Sequence, residues 1–77
     1  MSRLETYKML SKKVNRYIQM INKCRIVNNK DIALWNCNVI SSIINDYYRI
    51  GKITFVAKIY FENRIDYNAK WIGNEGR

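Results

Sequence analysis

The chain has 77 residues, 48% of them hydrophobic, no proline and a formal net charge of +8. That composition excludes a disordered tail and the length excludes a second domain, so residues 1–77 are expected to form one small domain. With no histidine and only two cysteines, Cys24 and Cys37, the chain lacks the donors for a zinc site or a disulfide framework, and no cofactor motif is present.

The charge is concentrated at one end. Residues 1–30 hold Arg3, Lys8, Lys12, Lys13, Arg16, Lys23, Arg25 and Lys30 against Glu5 alone, whereas the remainder is nearly balanced. Such an excess speaks of partners rather than of fold: nucleic acid, an anionic membrane surface or an acidic protein surface. A chain this short buries only about 60–65% of the surface its unfolded form exposes, so a partner or a homodimer would add stability. No window approaches 18 apolar residues, and Glu5 stands where a signal peptide needs an apolar run. The expectation is a soluble cytoplasmic protein with no membrane partner. Ile, Asn, Lys and Tyr supply 36 of the 77 residues, a bias of AT-rich codons that suggests a phage or mobile element and hence a host-cell cytoplasm.

Residues 4–24 read as a long amphipathic helix. Leu4, Tyr7, Leu10, Val14, Tyr17, Ile18, Ile21 and Cys24 recur at helical spacing along one side. Ser2 is a candidate N-cap, with Glu5 three residues on completing a capping box. The other side carries Lys8, Lys12, Arg16 and Lys23 nearly in line, with Asn15 and Gln19 beside them. Asn28-Asn29-Lys30 reads as a turn, and Asp31 as the N-cap of the second helical stretch.

The stretch from Ile32 to Gly51 places Ile32, Trp35, Val39, Ile43, Tyr47 and Ile50 on one apolar face and Ser41, Ser42, Asn45, Tyr48 and Arg49 on the opposite one. Gly51 suits a left-handed helix end. Asn36-Cys37-Asn38 interrupts the apolar face. Two arrangements stay open: one helix over 31–50, or a short helix 31–35, a tight turn and a second helix 39–50.

After Gly51 the period changes to alternation. Ile53, Phe55, Ala57, Ile59 and Phe61 point one way, Glu62-Asn63-Arg64 supplies a turn, and Ile65, Tyr67, Ala69 and Trp71 alternate again. Folded about that turn, apolar positions meet on both strands, as a hairpin register requires. Residues 73–77 are expected to be a frayed tail. The fold class is therefore α+β, with two main helices and a C-terminal β-hairpin. If the second helix breaks at 36–38, the segment has the look of a helix-turn-helix and the order of elements is that of a winged helix.

Function is read from the two polar faces. The row Lys8, Lys12, Arg16, Lys23 has no interleaved acid and suits a phosphate backbone. Ser41, Ser42, Asn45 and Arg49 are residue types that read base edges or phosphates. Lys58, Tyr60, Asn68 and Lys70 interleave base and aromatic on the hairpin's outer side, which reads as the solvated face of a two-stranded sheet in preference to a stacking platform for single strands. No paired carboxylates, phosphate loop or nucleophile with a neighbouring base appears, so no enzyme is expected. The first expectation is nucleic-acid binding, as a DNA-binding regulator would show. The alternative is an inhibitor or adaptor that docks its basic face on an acidic groove of a host complex, using Tyr48 and Arg49 as anchors.

Overall fold

The computed structural model describes residues 2–74. They form α1 (Arg3–Ile26), α2 (Lys30–Arg49), α3 (Phe55–Asn68) and the short α4 (Lys70–Asn74), with no strand among the described residues. The protein is all-α, which overturns the expected α+β class, the C-terminal β-hairpin and the winged-helix arrangement built on it. Gly73 and Asn74 complete α4; the rest of the expected tail, residues 75–77, lies outside the described residues.

The first two helices end by the same device. Asn28 takes φ 54° and Gly51 φ 78°. In the first turn Asn29 N–H reaches Cys24 C=O at 2.8 Å and Asn28 N–H reaches Arg25 C=O; in the second, Lys52 N–H reaches Tyr47 C=O at 2.9 Å and Gly51 N–H reaches Tyr48 C=O. Each pair satisfies carbonyls that a helix end leaves open. Ser2 caps α1 as expected, its Oγ accepting Glu5 N–H. Asn29, not Asp31, caps α2, its Oδ1 accepting Ile32 N–H at 3.1 Å.

α2 is a single unbroken helix through Asn36-Cys37-Asn38, so there is no helix-turn-helix. Asn36 does not break it because its side chain turns back to the helix, donating from Nδ2 to Ile32 C=O at 2.9 Å. The residue is fully buried, and its Oδ1 accepts no hydrogen bond among the described residues.

α3 replaces the hairpin because Thr54 acts as an N-cap, its Oγ1 accepting Ala57 N–H at 3.1 Å. From there Ala57, Phe61, Ile65 and Asn68 turn one side of a helix inward, and Lys58 pairs with Glu62 one turn later at 2.8 Å. The turn at Glu62-Asn63-Arg64 also lacked the glycine that a tight hairpin loop favours.

α1 and α2 pack side by side as a helical hairpin, and α3 lies against both. Leu10, Val14, Ile18 and Ile21 of α1 meet Ala33, Ile40 and Ile44 of α2, with Ile53, Phe61, Ile65 and Trp71 closing over them. Burial of each Leu, Ile or Phe contributes about 1.5–3 kcal/mol, and this shared core is what holds short helices that would not persist alone. The stripe expected on α1 is the one that packs, apart from exposed Leu4. On α2 the buried stripe is Ala33, Asn36, Ile40 and Ile44, about a quarter-turn from the one expected. Ile32, Trp35 and Ile50 are exposed, and Val39, Ile43 and Tyr47 only half-buried. The hydrophobic pattern misleads because Ala33 and Asn36 face inward while Ile32, Trp35 and Ile50 fall outside the core.

Candidate nucleic-acid interface

Helical phase places the charges of α1. At about 100° per residue, Lys8, Lys12, Arg16 and Lys23 centre roughly 170° from the buried Leu10, Val14, Ile18 and Ile21. All four are exposed, and none makes an ion pair among the described residues. The row spans about 22 Å, the rise of 15 helical residues.

Three contacts fix which flank of α1 faces α3. Tyr7 meets Thr54, Asn15 Oδ1 accepts from Arg64 Nη2 at 2.6 Å, and Asn22 Nδ2 donates to Asn68 Oδ1 at 3.5 Å. The basic row lies one step further round on that same flank. It therefore borders the groove between α1 and α3, on the side of α1 turned away from α2.

The candidate readers on α2 fall elsewhere. Tyr48 stands edge-on to Phe55 with ring centroids 5.9 Å apart, and the Lys58 ammonium lies 5.8 Å from its ring. These contacts mark the α3 side of α2. Ser42, Asn45 and Arg49 are exposed on the edge of α2 that points away from α1, and Ser41 is half-buried beside them. Arg49 Nη1 sits 4.0 Å from Asp46 Oδ1 in an exposed pair of little energetic weight. The structure thus separates the two sets that the sequence offered for one surface: the phosphate row and the base readers occupy opposite edges of the hairpin. Tyr48, offered as a partner anchor, is 38% exposed and already engaged by α3.

What the structure adds to the basic row comes from α3 and α4. Tyr60 and Tyr67 are 57% and 72% exposed. The Arg64 guanidinium lies 6.0 Å from the Tyr60 ring centre and the Lys70 ammonium 5.4 Å from that of Tyr67. At the far end of the groove Asn22, Arg25, Tyr67, Asn68, Lys70 and Trp71 line a cleft of about 280 Å³ that contains no carboxylate. The carboxylate of Glu62 is held on the other side of α3, where its partner Lys58 reaches Tyr48 of α2. Of the basic and aromatic set read from the sequence, Tyr60, Asn68 and Lys70 come to this groove while Lys58 falls on the α2 side; the seven-residue spacing that adds Tyr67 is hidden by a strand reading.

Cys24 and Cys37 are free and half-buried. Burial pushes the Cys37 thiol up from its ordinary value, and the nearby Asp66 charge acts in the same direction, so its thiolate is disfavoured. Among the described residues no group of three metal-ligating side chains comes together, and no helix is long and apolar enough to cross a membrane. No protein-family model, curated protein or solved structure matches this chain.

Proposed function

We propose that the protein is a non-enzymatic nucleic-acid-binding domain whose phosphate contacts come from the outer side of α1. The observation that carries this reading is the exposed, acid-free row Lys8, Lys12, Arg16 and Lys23, unpaired among the described residues, continued by Arg25 in the last turn of α1 and faced across the groove by Arg64 and Lys70. An ordinary solvated helix mixes both signs, because unpaired like charges four residues apart repel one another. Here the repulsion is retained from Lys8 through Lys12 to Arg16, as a surface that meets a polyanion requires. Ser41, Ser42, Asn45 and Arg49 lie outside this contact. The free cysteines fit a reducing, cytoplasmic setting, in a host cell if the gene is phage-borne.

The test is a fluorescence-polarisation titration of labelled oligonucleotides at low salt. Wild type binds, and the Lys12→Glu/Arg16→Glu variant weakens binding to every sequence alike. Equal binding by both proteins would remove α1 as the phosphate contact.

A second reading has its own observation. Trp35 is 61% exposed, with exposed Ile32 one turn before it, on the side of α2 turned away from α3. Exposed Trp among apolar neighbours is typical of protein interfaces, so a host protein could dock there. Trp35→Ala that abolishes capture of such a protein while leaving oligonucleotide binding intact would favour it.

A further inference from the structure

The groove between α1 and α3 differs from a plain basic surface in one respect: it has aromatic faces on one wall. From this we propose that the nucleic acid bound is single-stranded, its bases stacking on Tyr60 and Tyr67 while its backbone follows the basic flank of α1. The proposal rests on the nucleic-acid reading above and narrows it.

Both rings are exposed, and seven residues separate them, which puts them on one side of α3 about 10.5 Å apart along its axis. A base inside a duplex is already covered above and below by its neighbours, so a protein ring can reach its face only at an end or in a single strand. Each tyrosine has a cation close to its ring, Arg64 at 6.0 Å and Lys70 at 5.4 Å. A nucleotide whose base covers such a ring brings its phosphate near that cation. Stacking and charge neutralisation are then satisfied by one residue pair, and the pair occurs twice.

The opposite wall completes the complement. Asn15 and Asn22 are held at the seam by Arg64 and Asn68, which fixes the distance between the walls. Gln19 stands above that seam, exposed, with amide groups able to meet the unpaired edges of bases. Lys8, Lys12 and Lys23 follow along the rim. The cleft at the end, bounded by Arg25, Lys70 and Tyr67, suits one nucleotide unit and is too small for a duplex.

Stacking on tyrosine tolerates every base, so the groove selects strandedness over sequence. Neither ring is itself a core member, those of α3 being Phe61 and Ile65; Tyr60 touches Phe61 edge-on at 5.3 Å, so the fold of its alanine variant is checked beside its binding.

The experiment is polarisation of a labelled 12-nucleotide single strand and of the same sequence as duplex, with wild type, Tyr60→Ala, Tyr67→Ala, Tyr67→Phe and Lys12→Glu/Arg16→Glu. Circular dichroism shows that each variant is folded. The expected result is tighter binding of the single strand than of the duplex, a loss of roughly ten-fold for each alanine variant, and retention by Tyr67→Phe, which keeps the ring. Equal or tighter binding of duplex overturns the proposal. So does wild-type affinity in both alanine variants; if the charge-reversed variant is weakened in that same experiment, phosphate binding by α1 survives and only the stacking groove fails. No binding of either oligonucleotide at low salt removes both.

Discussion

Tyr7 and Thr54, 47 positions apart, join the second turn of α1 to the start of α3. The Tyr7 hydroxyl accepts from Thr54 N–H at 3.2 Å and donates to Thr54 Oγ1 at 3.4 Å. That same Oγ1 accepts Ala57 N–H at 3.1 Å. One threonine therefore starts α3 and anchors it. Thr54→Val should cost about 1 kcal/mol or somewhat more from the lost cap, and Thr54→Ser should recover most of it. Urea denaturation of the two variants measures the difference; equal midpoints would mean that the cap is dispensable.

The same contact gives a pH dependence. Once ionised, the Tyr7 oxygen accepts from the Thr54 hydroxyl, turned to donate, and from the Thr54 N–H, which lowers the Tyr7 hydroxyl below the ordinary tyrosine value of about 10. A folded-state value below the unfolded one means that ionised Tyr7 favours the folded chain. Its contribution is complete above the unfolded value and is lost as pH falls through the folded one. The stability gap between wild type and Tyr7→Phe should thus widen as pH is raised toward 10, as denaturation at a series of pH values will show. A gap independent of pH would contradict this.

Salt dependence is a consequence of the row on α1. With four phosphates neutralised, affinity for duplex should fall roughly 100-fold between about 50 and 200 mM salt, and for a single strand somewhat less. Removing two cations in Lys12→Glu/Arg16→Glu should flatten the slope of log affinity against log salt by about half. An unchanged slope would place the phosphate contacts elsewhere on the surface.

Cys37 is predicted to be slow toward thiol reagents. Burial raises its thiol above the ordinary value, and the field of Asp66 adds to the effect. At neutral pH the native chain should react at Cys37 far more slowly than the chain in denaturant, which a stopped thiol-labelling time course with mass spectrometry resolves. Comparable rates would show that the α2–α3 contact opens readily.

Phe61 is buried at the centre of α3, and Phe61→Ala should cost about 3–5 kcal/mol, enough to threaten a domain this small. Far-ultraviolet circular dichroism of the wild type should show helix and no strand signal; loss of helicity in the variant reports release of α3.

α1 was legible because it has one core side and an opposite basic side, so its period carries a single message. α2 was harder. Its buried side contains Ala33 and Asn36, while Trp35 and Ile32 lie outside, so hydrophobicity pointed a quarter-turn away from the core. Residues 53–65 satisfy two periods at once: Ile53, Phe55, Ala57, Ile59 and Phe61 alternate, while Ala57, Phe61 and Ile65 keep helical spacing. Tertiary context decides such a segment, and the Thr54 cap and the Lys58–Glu62 pair tip it toward helix. The basic row needed no fold to be noticed. The groove did, because Tyr60, Arg64 and Tyr67 come beside α1 only once 55–68 is helical.

α1 and its groove with α3 stand at the centre of the proposed binding surface. Their most direct test is a nuclear magnetic resonance titration of isotope-labelled protein with a short unlabelled single strand, read on backbone amide and tyrosine ring signals. Shifts are predicted to concentrate at Lys8 to Arg25, Tyr60, Arg64, Tyr67 and Lys70, with Ser42, Asn45 and Arg49 unmoved. Shifts confined to α2, around Trp35 or around Asn45, would contradict a binding surface on α1.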